Sequence, residues 1–221
     1  MKKQVNVNTI KHPSLWEGLV RLFTIIVLMA VAVITSTAAN NSSAAAKKTL
    51  DKAAAKFNIK SGTTANFTVT GDKIKQSGTI SIKKNMFHAS TPSAIVWYNG
   101  KTQWTYLKKN DEVNVSTPNA AKQASMNPYT FLTLYKKGYD MELQQTASGK
   151  QVHLKAQNQK SSIKEAYILV DDKSDIKEVK MRQASGWVTI TISNVKSSNL
   201  SDAVFTFNAK DYPKAEIIDL R

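Results

Sequence analysis

Apolar and polar residues alternate along the chain from Thr63 to Phe207, which is the pattern of β-strands that bury one face. Ile80 and Ile82, for example, alternate with polar neighbours, and similar short runs recur up to Phe205 and Phe207. Turn sequences separate the runs, and no crossover helices alternate with them as a parallel sheet would require. The pattern predicts about eleven strands in one large antiparallel sheet, curved or nearly closed, with helices on one face.

Two sequences between these runs predict hairpin turns. Asn99-Gly100 is the stronger signal, because both residues tolerate positive φ. Asp171, Asp172 and Asp175 lie between two later runs, where a calcium loop is the alternative reading. The glycine and the distal bidentate glutamate of an EF-hand loop are missing, so we interpret this segment as a hairpin turn.

Two segments depart from the period of two and predict helices. Residues 42–57 are rich in alanine, with Leu50 and Phe57 at helical spacing. Residues 119–137 predict two short helices split at Pro128, because proline removes a backbone donor and disfavours a continuous helix. Met126, Phe131, Leu132 and Tyr135 give this second segment an apolar face.

The N-terminus has the organisation of a secretory signal. Basic residues precede Leu22–Ile34, a run of thirteen residues without charge, and small residues follow it. A permanent membrane anchor is the alternative, but at about 1.5 Å per residue this run falls short of a hydrocarbon core of about 30 Å. We predict that residues 1–39 are a cleaved signal peptide and that residues 40–221 form a single exported, soluble domain.

The amino-acid composition limits the kinds of site and partner that this chain can have. The 221 residues include no cysteine, which excludes disulfides, thiolate sites and a lipid-modified cysteine. The net charge of +15 is spread along the chain without the interleaved aromatic residues of a nucleic-acid platform. We expect a solvated basic surface and no nucleic-acid partner, and attraction to anionic lipid headgroups or to an acidic partner stays open.

The chain lacks the motifs of nucleophilic, phosphate-binding and metal-dependent catalysis. Of its three histidines, His88 and His153 lie on separate predicted strands without an acidic partner at motif spacing. No nucleophile, base and orienting group come together, so we predict a protein that is not an enzyme and has no cofactor or metal.

The chain has many large apolar side chains that could line a ligand site. Methionine side chains suit surfaces that accept varied apolar shapes, and barrel mouths are common sites for apolar ligands. The alternative is that these residues simply fill the core. The methionines and tryptophans in question are Met86, Met126, Met141, Met181, Trp97, Trp104 and Trp187.

Several segments resemble a known family in the right order. Residues 78–87 read GTISIKKNMF, and the hairpin segment 99–106 reads NGKTQWTY. Residues 127–132 (NPYTFL), 205–207 (FTF) and 212–220 follow. This ordered set resembles the outer-membrane lipoprotein carrier family, often called LolA, over nearly the whole predicted mature chain.

The resemblance implies an incomplete, half-open antiparallel β-barrel covered by a helical lid. It also implies a monomeric periplasmic shuttle, without cofactor or catalysis. Such a shuttle takes acylated lipoproteins from an inner-membrane lipoprotein-releasing ABC transporter to the outer membrane, and whether an outer-membrane receptor exists stays open.

Two residues depart from the family pattern. Asn99 stands where members typically have Asp, and it still suits the turn. Lys84 matches the position where many members carry an arginine linked to lid closure. Lysine lacks the planar fork of arginine, which argues against Lys84 as a lid latch.

We predict that the acyl chains bind an apolar face drawn from the strands and the lid, with the alternating strand residues sharing one side of the sheet. The predicted acyl-binding residues are Phe67, Ile80, Ile82, Met86, Phe87, Trp97, Trp104, Met126, Phe131, Leu132, Met141, Leu143, Leu154 and Met181. Two alternatives are a binding module for another periplasmic lipid or amphiphile on the same fold and a sensor domain that binds a protein partner.

Overall fold

A computed structural model describes most of the chain. The described residues are 39–57, 59–72, 74–118, 133–161, 163–183 and 186–221. They contain one α-helix, α1 (Ala39–Ala55), and twelve strands. The strands are β1 (Thr63–Gly71), β2 (Ile74–Lys83), β3 (Met86–Ser90), β4 (Ala94–Tyr98), β5 (Gln103–Leu107), β6 (Glu112–Ser116), β7 (Tyr139–Thr146), β8 (Gly149–Ala156), β9 (Glu165–Val170), β10 (Ile176–Gln183), β11 (Gly186–Ser197) and β12 (Glu216–Asp219). Short 3-10 turns lie at Leu134–Lys136, Asp202–Phe205 and Ala209–Asp211.

All twelve strands belong to one sheet, in the order β12-β6-β5-β4-β3-β2-β1-β11-β10-β9-β8-β7. Neighbours pair antiparallel throughout, except that β12 runs parallel to β6. Strands β12 and β7 end the sheet, so the barrel is not closed. The predicted fold class, a mainly β protein built on an incomplete antiparallel barrel, is confirmed.

Three details of the strand prediction were wrong. Strands β3 and β12 were missed, and the strand predicted at Phe205 and Phe207 is absent. Phe205 instead ends a 3-10 turn that begins after Ser201, whose hydroxyl accepts a hydrogen bond from the Ala203 amide. The spacing of the two phenylalanines therefore reflects contacts with the sheet surface below and not a strand of their own.

The predicted turns are confirmed. Asn99 Oδ1 accepts hydrogen bonds from the amides of Lys101 and Thr102, and Gly100 has a φ of 94° between β4 and β5. In the tight turn between β9 and β10, the Asp171 amide donates to the Asp175 carbonyl, and the Asp175 amide donates to Asp171 Oδ1.

The register of the strands defines two faces, and α1 covers part of one of them, which we call the inner face. Helix α1 packs on β7, β8 and β9. Its buried residues Ala46, Leu50 and Ala53 join inner-face residues of β7 to β11 in one hydrophobic cluster. The apolar spacing that predicts the helix is thus the side that meets the sheet.

A second inner-face cluster lies on β2 to β5 and includes Ile82, Phe87 and Tyr98. Ile59, just after α1, packs against both this cluster and the one beneath the helix. The two clusters sit on opposite halves of the sheet order, so a single side chain reaches both only because the sheet curls around the inner face.

The C-terminal segment, residues 198–221, packs on the outer face of β3 to β5 and adds β12 to the sheet beside β6. Its 3-10 turn Asp202–Phe205 packs on β3 and β4, and Phe205 is fully buried. The rings of Phe207 and Tyr212 also pack edge-on against Trp97, with centroid distances of 5.4 Å and 5.5 Å. The outer side of this half of the sheet is therefore a second core.

Among the described residues, no helix combines the length and apolar character needed to cross a bilayer. The predicted signal, except for its last residue, Ala39, lies outside the described residues. The two predicted lid helices fall on residues 119–137, of which only 133–137 are described, and these contain the 3-10 turn Leu134–Lys136.

Candidate binding site on the inner face

The centre of the inner face carries large apolar side chains that are only half-buried. Ile80 of β2 and Ile190 and Ile192 of β11 are partly accessible, whereas most inner-face residues on either side are buried. Phe67 of β1 lies opposite Ile192 and joins them. We call Phe67, Ile80, Ile190 and Ile192 the central patch.

A glycine shapes this patch. Gly78 lies opposite Phe67 on the neighbouring strand. A Cβ at position 78 would come within 2.8 Å of Phe67 Cζ and within 2.2 Å of the Ser90 carbonyl oxygen. The Phe67 ring therefore packs against the backbone at position 78, where a side chain would not fit.

On one side of the central patch, α1 seals the sheet. Leu154 and Met181 are fully buried beneath it, and Met141 and Leu143 pack against the same cluster. The Leu143 amide donates a hydrogen bond of 2.9 Å to Ser42 Oγ, which fixes the start of the helix to β7.

A polar contact holds the next segment to the same helix. Tyr135 is 3% exposed, and its hydroxyl donates to Asp51 Oδ1 at 2.8 Å. The hydrogen bond from Lys47, and then the one from Tyr135, lower the pKa of Asp51 below its ordinary value. Asp51 is therefore ionised at neutral pH and anchors Tyr135 beside the inner face.

On the other side of the central patch, the second cluster continues the apolar surface. Ile82 and Phe87 are opposite each other, and the Phe87 and Tyr98 rings lie 5.5 Å apart. Burial raises the pKa of the Tyr98 phenol, so this group stays neutral. The inner face is thus mainly apolar from β7 to β4, apart from Thr63 and Gln76, with partly accessible side chains in its middle and on β7.

The structure divides the predicted acyl-binding residues into three groups. Those on the inner face are Phe67, Ile80, Ile82, Phe87, Met141, Leu143, Leu154 and Met181. Those on the outer face are Met86, Trp97 and Trp104. Met126, Phe131 and Leu132 lie outside the described residues.

The prediction that Trp104 shares a face with Phe87 was wrong. Phe87 is opposite Tyr98, which is opposite Gln103, so the neighbouring Trp104 points to the other side. Trp104 faces Trp97 across the strand pair, and Met86 precedes Phe87 by one residue on the same strand. All three side chains therefore lie on the outer face, where Trp97 packs against Phe207 and Tyr212 of the C-terminal segment.

Sequence reasoning left Ile190 and Ile192 out of the site. Their alternation with threonine predicts a strand but does not say which strand lies beside it. Pairing of β11 with β1, more than a hundred residues earlier, brings them next to Phe67.

Lys84 lies in the turn between β2 and β3, where its φ is 53° and its side chain is exposed. Its backbone amide donates a hydrogen bond of 2.6 Å to the Ile59 carbonyl. The structure thus gives Lys84 a backbone role, joining this turn to the segment after α1.

The two histidines lie on the outer face. His88 stacks on Trp97, and burial lowers its pKa. His153 stacks on Tyr167 with centroids 4.3 Å apart, and its Nε2 is 2.8 Å from Glu165 Oε1. Within the described part of the chain, no three His, Cys, Asp or Glu side chains group as metal ligands would.

Known proteins resemble this chain in sequence and in fold. A family model described as outer membrane lipoprotein carrier protein LolA matches residues 35–185. No curated protein matches the sequence. An uncharacterized conserved protein from Thermus thermophilus is 13% identical with a TM-score of 0.53, covering 79% of this chain and 99% of its own. At that identity the likeness extends to the fold alone.

Two lower-scoring structures are also similar. A putative outer membrane lipoprotein-sorting protein domain from Vibrio parahaemolyticus is 9% identical, with a TM-score of 0.42 and coverage of 76% of this chain and 100% of its own. The lipoprotein LppX of Mycobacterium tuberculosis is 12% identical, with a TM-score of 0.45 and coverage of 72% and 100%.

Proposed function

Because the chain belongs to the outer membrane lipoprotein carrier (LolA) family, we propose that it is a periplasmic carrier that binds the acyl chains of lipoproteins and moves them from the inner to the outer membrane. Its partners are acylated lipoproteins and an inner-membrane lipoprotein-releasing ABC transporter. The observation that carries the proposal is the mainly apolar inner face, whose three hydrophobic clusters meet partly accessible side chains at the centre.

The energetics of acyl chains suit such a face. Burying a chain contributes about 0.8 kcal/mol per CH₂ group, so a soluble carrier has to cover the chains it transports. It also has to release them, which favours a face that is already partly covered when no ligand is bound. The central patch offers accessible apolar surface, while α1 keeps the surface beside it closed.

The predicted lid is part of this proposal. Residues 119–137 connect β6, next to one end of the sheet, with β7 at the other end. Their C-terminal part is anchored on α1 through Tyr135 and Asp51. We propose that this segment covers the inner face when the carrier is empty and moves outward when acyl chains enter.

We also propose that the protein is exported, because residues 1–39 have the organisation of a secretory signal. The natural protein should begin near Asn40 and be recovered from the periplasm.

A charge placed on the central patch tests the binding site. Ile80→Glu puts a carboxylate on the inner face, and the adjacent exposed Thr79→Glu puts the same charge on the outer face. Binding of dansyl-undecanoic acid to delipidated protein, followed by fluorescence, should weaken at least tenfold in Ile80→Glu and stay near wild type in Thr79→Glu. Wild-type binding by folded Ile80→Glu would refute the site.

The natural ligand is tested separately. Protein isolated gently from its native periplasm should carry acylated proteins, identified by mass spectrometry. Free lipids or amphiphiles alone would instead support a lipid-binding module on the same fold.

A further inference from the structure

The inner face ends in a polar strip, which we define as Gln103 and Thr105 on β5 with Asn114 and Ser116 on β6. Gln103 lies opposite Ser116, and Thr105 lies opposite Asn114. Across the sheet, the corresponding inner positions of β8 to β10 are filled by Val152, Ile168, Val179 and other apolar residues. Four polar side chains together on this face therefore need an explanation beyond packing.

Three of the four residues of the strip are buried, and Ser116 is half-buried. Gln103 is 1% exposed, Thr105 is 3% exposed and Asn114 is 7% exposed. Buried polar side chains nearly always have hydrogen-bond partners, because an unpaired buried group loses its water without replacement.

One atom of the strip has no such partner. Gln103 Nε2 donates to Thr105 Oγ1 at 3.1 Å, and Asn114 Nδ2 donates to Glu112 Oε1. Gln103 Oε1, in contrast, is buried and accepts no hydrogen bond. Two other buried oxygens without partners are Thr63 Oγ1 and Gln76 Oε1. The Gln76 side chain donates to Ser93 Oγ in the turn between β3 and β4, and Thr63 lies opposite Ile82. Gln103 Oε1 is the free acceptor that belongs to the strip.

The strip is connected to the central patch by a direct row across the sheet. Ile80, Ala89, Val96 and Thr105 lie opposite one another on β2, β3, β4 and β5. Three strand spacings separate the two ends of this row, roughly 14 Å, which is comparable to an extended dodecanoyl chain. Ala89 is the smallest side chain of this row, and both it and Val96 are covered in this structure.

We infer that the polar strip is the subsite for the polar linkage of the acyl ligand, and that it selects a linkage with an N–H donor, as in an amide-linked acyl chain. The inference rests on the proposed carrier function. Gln103 Oε1 accepts the amide N–H, and the Ser116 hydroxyl opposite it is placed to donate to the acyl carbonyl. An ester offers the carbonyl but no donor, so it leaves the Gln103 oxygen unpaired.

The test compares two small acyl compounds that differ in this donor. N-methyldodecanamide and methyl dodecanoate are titrated against bound dansyl-undecanoic acid, first with the wild-type protein. One hydrogen bond to a buried acceptor should make the amide bind roughly threefold to tenfold more tightly. Equal affinities for the two compounds would overturn the inference even if no variant could be prepared.

Variants identify the residue responsible. Gln103→Met removes the free acceptor and should abolish the preference for the amide over the ester. Gln144→Met, the same substitution at an exposed outer-face position of β7, should keep the preference. A preference that persists in Gln103→Met would overturn the assignment to this residue.

Failure of the carrier proposal looks different. If neither compound nor the dansyl probe binds the wild-type protein, the proposed function falls and the subsite falls with it. If all three bind but the amide has no advantage, the carrier proposal stands and only the subsite is refuted.

Discussion

Truncation of Phe205 tests whether the C-terminal segment is an integral part of the folded domain. Phe205 is fully buried where the 3-10 turn Asp202–Phe205 packs on β3 and β4. Lys83 supports the same turn, because its Nζ lies 2.7 Å from Asp202 Oδ1 and donates to the Leu200 carbonyl at 2.5 Å. Phe205→Ala removes the ring and leaves these polar contacts in place.

The expected loss in the free energy of unfolding follows from the burial of Phe205. Replacing a fully buried phenylalanine by alanine costs about 3–5 kcal/mol, since the transfer energy of the ring is lost and a cavity remains. Most domains have about 5–15 kcal/mol of stability, so the variant should fold but be much less stable. With a urea m-value of about 2 kcal/mol/M, the unfolding midpoint should fall by roughly 1.5–2.5 M.

Urea unfolding followed by tryptophan fluorescence measures the effect, because Trp97 packs against Phe207 and Tyr212 of this segment. Ile217→Ala, at a side chain that is 51% exposed on the edge strand β12, is the matched control and should shift the midpoint only slightly. Folded Phe205→Ala should still bind an acyl probe, since Phe205 covers the outer face. A midpoint shift below about 0.5 M would refute the outer core, and a selective loss of probe binding would refute the division of the two faces.

Three further predictions concern other parts of the chain. Tyr135→Phe should destabilise the protein by about 1 kcal/mol at pH 7, as judged by urea unfolding. The pKa of Asp51 is lowered in the folded state, so the stability that Asp51 contributes is present above its unfolded pKa and is lost as pH falls through the folded pKa. The loss of stability in Tyr135→Phe should therefore become smaller in acid. A loss that does not depend on pH would contradict this contact. Gly149→Ala should lower the Tm, because φ at Gly149 is 128° and a Cβ would lie 2.4 Å from the Val170 carbonyl oxygen; an unchanged Tm in thermal unfolding would be inconsistent with that geometry. N-terminal sequencing of the natural protein should begin near Asn40, and a chain that begins at Met1 would disprove cleavage.

The local features of this protein follow from its sequence. Alternation of apolar and polar residues predicts strands because successive side chains of a strand point to opposite faces. Asn99-Gly100 predicts its hairpin because the turn needs a positive φ. The apolar spacing around Leu50 predicts a helix with one buried side, although Phe57 lies beyond the end of α1 at Ala55. The ordered motifs predict the family, and the family model that matches residues 35–185 confirms this prediction.

The choice of face was decided by the tertiary structure. Alternation shows that Trp104 and Gln103 point in opposite directions, but it does not say which of them faces the interior. Both faces of β4 and β5 are covered, one within the curl of the sheet and the other by the C-terminal segment. An apolar side chain is stable on either, so its hydrophobicity gives no information about the face.

The central patch and the polar strip likewise depend on pairing. Ile192 meets Phe67 only because β11 pairs with β1, and that register is set by the cooperative packing of the whole sheet. Gln103 looks like an ordinary surface residue in an alternating strand, and only the fold buries it with a free acceptor. Local sequence determines which residues can share a face, whereas contacts between distant strands determine what that face encloses.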